Sequence, residues 1–134
     1  MKTKTLVSLV LLIASIVLAG CTTMADALEA RGKGTKVTYL TSFEEIWKAM
    51  PDTVTAAGLK FVSANREDRS VLAQQPITVV TYGENVAIFV EKVDDSKCTV
   101  EVVAKKALAT DIVASLEDWV KPVFRELDKK FKRE

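Results

Sequence analysis

The chain has 134 residues, 19 Lys+Arg against 18 Asp+Glu, no histidine, two cysteines and 49% hydrophobic residues. That length holds one small domain. Without imidazole there is no Ser-His-Asp triad, no Cys-His pair and no histidine-ligated metal, and a net charge of +1 makes no electrostatic case for nucleic acid.

The apolar excess is concentrated at the amino terminus. Lys2 and Lys4 precede an apolar run over residues 6–17, and residues 1–20 contain no acidic side chain. Twelve residues are too few for a spanning helix, which needs about 20, and suit the h-region of a secretory signal. The segment ends in Leu18-Ala19-Gly20-Cys21. This motif resembles the lipobox of bacterial lipoproteins. The resemblance implies cleavage between Gly20 and Cys21, diacylation of the Cys21 thiol, and usually a further acyl chain on the new amino group. Each buried methylene adds about 0.8 kcal/mol, so two or three chains hold a protein on a membrane durably. Thr22 stands where an Asp would favour inner-membrane retention in enteric bacteria, so the resemblance favours the outer membrane, facing the periplasm. Removal of residues 1–20 leaves 17 basic against 18 acidic residues, the balance of an ordinary soluble domain.

Residues 22–35 read as a tether, either coil or partial helix, with Gly32 and Gly34 breaking any helix begun at Met24. As coil it would span about 20 Å. A single domain follows over residues 36–134. Residues 37–40 predict a first strand. Ser42-Phe43-Glu44-Glu45 is a capping box, and Phe43, Ile46, Trp47, Met50, Val54 and Ala57 form one helical stripe ending at Gly58. Pro51 lies inside that helix and predicts a kink or a break near Met50.

After Gly58 the period becomes two. Strands are expected over residues 59–63 and 71–75, around the charged turn 65–70, and over 77–82, 86–93 and 98–105, with turns at 82–85 and 93–97. A closing helix carries Leu116, Val120, Val123, Phe124, Leu127 and Phe131 on one stripe, with Pro122 expected to bend it. The predicted fold is α+β: an antiparallel sheet of four or five strands on two helices, in the order β-α-β-β-β-β-α.

Chemical candidates are few. Cys98 is the single thiol left once Cys21 carries lipid, and its alternation with Val100 and Val102 places it in the core. The pairs Glu44/Glu45, Glu67/Asp68, Asp94/Asp95 and Glu117/Asp118 are neighbours whose side chains diverge, unlike the facing carboxylates of a hydrolase. Residues 94–97 lack the alternating oxygens and glycine of a calcium loop. No cofactor, metal or catalytic residue is expected. Trp47 and Trp119 fit the core or the rim of a groove, and Lys129, Lys130, Lys132 and Arg133 form a solvated helix end. Val80, Tyr82, Ala87, Phe89 and Val103 fall on the parity opposite the best core residues. Val80, Tyr82, Phe89 and Val103 are therefore the expected binding face.

The run from Ser42-Phe43-Glu44-Glu45-Ile46-Trp47 through Gly58-Leu59-Lys60-Phe61-Val62 to a Trp-containing closing helix resembles a group of small bacterial envelope lipoproteins. In layout alone it is remotely similar to the helix-grip-like domains of the C lipoprotein of the outer-membrane β-barrel assembly machinery. The function expected is a non-enzymatic, membrane-anchored accessory or scaffold. It is expected to bind an envelope protein, to be a monomer or weak oligomer, and to bind no nucleic acid. A second reading is a carrier or sensor of a small amphiphile held between sheet and helix. A third is a lysozyme inhibitor, for which no inhibitory loop is recognisable.

Overall fold

In the computed structural model, which describes residues 23–77, 83–106 and 119–134, five strands form one antiparallel sheet. They are β1 (Thr35–Tyr39), β2 (Lys60–Asn65), β3 (Ser70–Gln74), β4 (Glu84–Lys92) and β5 (Cys98–Lys106), ordered β1-β5-β4-β3-β2 across the sheet. Among the described residues there are three helices, α1 (Met24–Glu29), α2 (Phe43–Ala56) and α3 (Val120–Asp128). The α+β class and five-stranded sheet match the sequence reading. The two-helix count and the order are corrected by α1, which precedes β1.

The register sorts the side chains by face. Ile88 lies opposite both Val71 and Val102, and Val90 opposite Val100, so these five residues point to one side with Cys98. On that side α2 and α3 bury Ile46, Met50, Val54, Val123 and Leu127 against the sheet. Tyr39 is fully buried there, and its hydroxyl donates to Asp128 Oδ1 at 3.0 Å. The opposite parity carries Leu72, Ala87, Phe89, Glu101 and Val103.

Helix α2 is unbroken despite Pro51. Ser42 caps its first turn, its Oγ accepting from the Glu45 amide at 3.3 Å. Pro51 is exposed, and the buried side of the helix is continuous through Ile46, Met50 and Val54. Burial of that stripe offsets one missing amide donor. The helix ends in a Schellman motif: Leu59 N donates to Val54 O, Gly58 N donates to Thr55 O, and Gly58 has φ +88°. Pro122 is the third residue of α3 as described, within the first turn of the described helix. Leu116, Glu117 and Asp118 lie outside the described residues, as do Cys21, the apolar segment before it, and residues 78–82. Among the described residues, no helix is long and apolar enough to cross a membrane.

Candidate binding surfaces

The second face of the sheet is covered by α1. Thr23 caps this helix, with its Oγ1 accepting from the Asp26 amide and Asp26 accepting from the Thr23 amide in return. Ala27 and Ala30 then pack on Ala87, Phe89 and Val103, and all five are buried. Small side chains on α1 let a helix of six residues lie close against the sheet.

Two fastenings follow the helix. The Arg31 guanidinium lies 4.3 Å above the Phe89 ring and donates to the Asp68 carbonyl. The Glu101 carboxylate is buried, and its Oε1 accepts from the amides of Gly32 and Gly34, each at 2.7 Å. Lys36 Nζ stands 3.9 Å from the other oxygen. Gly34 has no room for a side chain: a Cβ there would fall 2.5 Å from the Val102 carbonyl oxygen.

Of the expected binding face, Phe89 and Val103 do lie together on the second face, but beneath α1 rather than open to solvent. Val80 and Tyr82 lie outside the described residues. The covering helix sits in the stretch read as a tether. A signal for it was present in the sequence, the Thr23-x-x-Asp26 box, and the apolar residues beneath it needed a cover.

A different apolar surface is open. Tyr39 and Lys92 flank Cys98 on its two neighbouring strands, and the residues that follow them, Leu40 and Val93, are 43% and 58% exposed. Strand spacing puts these two chain positions about 10 Å apart at one end of the sheet. At the same end, Ser42, Phe43 and Glu44 border a recess of about 180 Å³ with Lys92 and Asp95. Phe43 stacks on Trp47, with ring centroids 5.5 Å apart and planes 16° from parallel, and both rings are half-buried. Two charged pairs border Phe43, Arg66 with Glu44 and Lys92 with Asp95, and Lys97 pairs with Glu134 beside the start of β5. The sequence read Phe43 and Trp47 as helix-stripe residues. It did not distinguish Leu40 and Val93, because each follows a strand by one residue and their exposure depends on where the strand stops.

A groove of about 440 Å³ runs between β1 and α3. Val37, Val120 and Phe124 supply apolar walls, and Lys121, Arg125 and Arg133 supply cations. Arg133 makes a two-pronged pair with Asp128, Nε to Oδ1 and Nη2 to Oδ2, each at 2.7 Å. The hydrogen bonds from Arg133 hold the Asp128 carboxyl below its ordinary value. Trp119, just before α3, packs beside Gly58 and is half-buried.

Among the described residues, no group of three or more His, Cys, Asp or Glu is placed to hold a metal ion. Cys98 is a free, buried thiol, its pKa pushed up to about 11 by burial and by the Glu91 charge. No protein-family model and no curated protein matches the chain. Distantly similar solved structures include the following two. One is the NMR solution structure of a Thermobifida fusca protein, at 14% identity and a TM-score of 0.47, covering 67% of this chain and 83% of that one. The other is a point mutant of Thalictrum norcoclaurine synthase in complex with a transition-state analogue, at 13% identity and a TM-score of 0.46, covering 72% and 93%.

Proposed function

We propose that this chain is a membrane-anchored envelope lipoprotein whose domain binds another protein as a non-enzymatic accessory or scaffold, in the outer membrane facing the periplasm. The anchor rests on Leu18-Ala19-Gly20-Cys21, whose cysteine would carry the lipid. The binding role rests on one observation: Leu40 and Val93 are exposed together at the sheet end where the Phe43–Trp47 stack is half-open. Apolar and aromatic side chains bordered by charged pairs resemble the anatomy of a protein–protein contact, an apolar centre with a polar rim. In-cell photocrosslinking tests this. A crosslinker at position 40 or 93 should give a discrete adduct that the same group at exposed Lys48 does not. Adducts indistinguishable among the three positions would overturn the binding role. Cys21→Ala should abolish lipid labelling and membrane fractionation, and a membrane-bound variant would overturn the anchor.

The groove between β1 and α3 favours a second reading, a carrier of an anionic amphiphile. Val37, Val120 and Phe124 would meet the apolar part while Arg125 and Lys121 face the head group. Native mass spectrometry of the purified protein should then show a stoichiometric lipid. A bare polypeptide mass would count against this reading.

A further inference from the structure

The direction of α1 across the sheet says which end of the domain meets the membrane. Ala27 and Ala30 of α1 pack with Ala87 and Val103, the pair that lies between Phe89–Glu101 and the Lys105 end of β5. The segment after the helix reaches Phe89 through Arg31 and Glu101 through Gly32 and Gly34. From Lys105 to Glu101 is four residues of strand, about 13 Å. So α1 runs antiparallel to β5, with its amino terminus at the end of the sheet that carries Lys105.

Cys21 is two residues before Thr23, the cap of α1. Two residues span at most about 7 Å. A lipid on Cys21 therefore cannot sit far from the Lys105 end. Nor can the domain swing on a fourteen-residue coil, because α1 and the Glu101 fastening hold that stretch to the sheet.

Ile77 marks the same end. The register runs Gln74, Asn85, Lys105 across the strands, and Gly83 lies just beyond, where a Cβ would fall 3.4 Å from Ile77 Cγ1. Ile77 is 72% exposed, the most exposed large apolar side chain among the described residues. An exposed apolar side chain at the sheet end that also carries a lysine, the end toward which the anchored segment runs, fits an anionic bilayer surface. The opposite end presents Leu40, Val93 and Phe43.

Resting on the lipid reading of Cys21, we propose that the domain stands on a lipid bilayer with the Ile77–Lys105 end down, so that the Leu40–Val93 end faces away from the membrane. The test uses the full, lipidated chain carrying Cys98→Ala, on vesicles of phosphatidylethanolamine and phosphatidylglycerol. A fluorophore is placed by Ile77→Cys or, in a second protein, by Asp95→Cys in the turn at the opposite end. Vesicle binding should cut iodide quenching at position 77 several-fold and allow quenching there by spin-labelled lipid, while position 95 stays as accessible as in solution. A long Gly-Ser linker inserted after Thr22 should restore iodide access at position 77. Flotation with the vesicles but equal accessibility at both positions overturns the orientation alone. Failure to float overturns the lipid reading and the orientation with it.

Discussion

The Arg31 guanidinium lies over the Phe89 ring at 4.3 Å, which fastens the end of α1 to the centre of the sheet face that it covers. Phe89 is 1% exposed, although it lies on the face away from the main core. Its truncation in Phe89→Ala should cost about 3–5 kcal/mol. Arg31→Ala removes a stacking contact from a solvent-exposed side chain and should cost about 0.5–1 kcal/mol. Urea denaturation measures both. Hydrogen exchange in Arg31→Ala should rise at residues 27–34 and stay unchanged in α2. An equal rise across the chain would mean that α1 is not a separate fastened unit.

Glu101 and Gly34 secure the loop by different means, and substitution separates them. Glu101→Ala leaves two loop amides without their carboxylate partner and should destabilise by about 3 kcal/mol. In Gly34→Ala the new Cβ meets the Val102 backbone, which cannot swing aside as a side chain can, so a loss of about 2 kcal/mol is expected. At Gly32 nothing lies within 4 Å of a Cβ, and the obstacle is its φ of +89°. Gly32→Ala should therefore cost about 1 kcal/mol, and Gly32→Asn less, since asparagine tolerates that conformation. Equal losses for the Ala and Asn variants at position 32 would contradict a conformational origin.

The sequence was most legible where period and chemistry agreed. Alternation from Cys98 to Ala104 assigned faces that the register reproduces, and Ser42 and Gly58 marked the ends of α2. Pro51 pointed to a break because a missing donor is a local signal, whereas the apolar stripe that holds the helix together acts through tertiary burial. Helix α1 was harder to read. Six residues are too few to display a period, and two nearby glycines resemble a linker. The apolar parity of Ala87, Phe89 and Val103 held the missing information: the sheet needed a cover on that face, and the cover lay far upstream in sequence. The exposure of Leu40 and Val93 was not legible, because a shift of one residue in strand length would have buried either.

Asp128 joins the end of α3 to Tyr39 and Arg133, and its charge gives the domain an acid-sensitive contact. Hydrogen bonds from Arg133, then from Tyr39, lower the folded pKa below the ordinary 3.8. The folded state thus binds this proton less readily than the unfolded state does. The contribution to stability is present above pH 3.8 and is lost as pH falls through the depressed folded value. The stability difference between the native chain and Asp128→Asn should be constant near neutrality and shrink below about pH 4. Urea titrations at several pH values measure it. A difference that grows on acidification would reverse the assigned sign.

Cys98 supplies the complementary test at alkaline pH. Burial raises its thiol pKa from 9.0 to about 11, with the Glu91 charge adding to the effect. Between those values the unfolded chain releases a proton that the folded chain retains. Stability from this group is therefore complete below pH 9.0 and is lost as pH rises through the folded value of about 11. Tyr39, whose pKa is raised by burial and then by its hydrogen bond to Asp128, acts in the same direction at higher pH. Comparison with Cys98→Ala isolates the thiol: its own alkaline loss should be shallower over this window. The same burial predicts chemical inertness. At pH 8 a disulfide reagent should label the folded domain no faster than it unfolds, and should label the urea-unfolded chain at once. Rapid labelling of the folded domain would show that the strand end at Cys98, next to the exposed Leu40 and Val93, opens to solvent without unfolding.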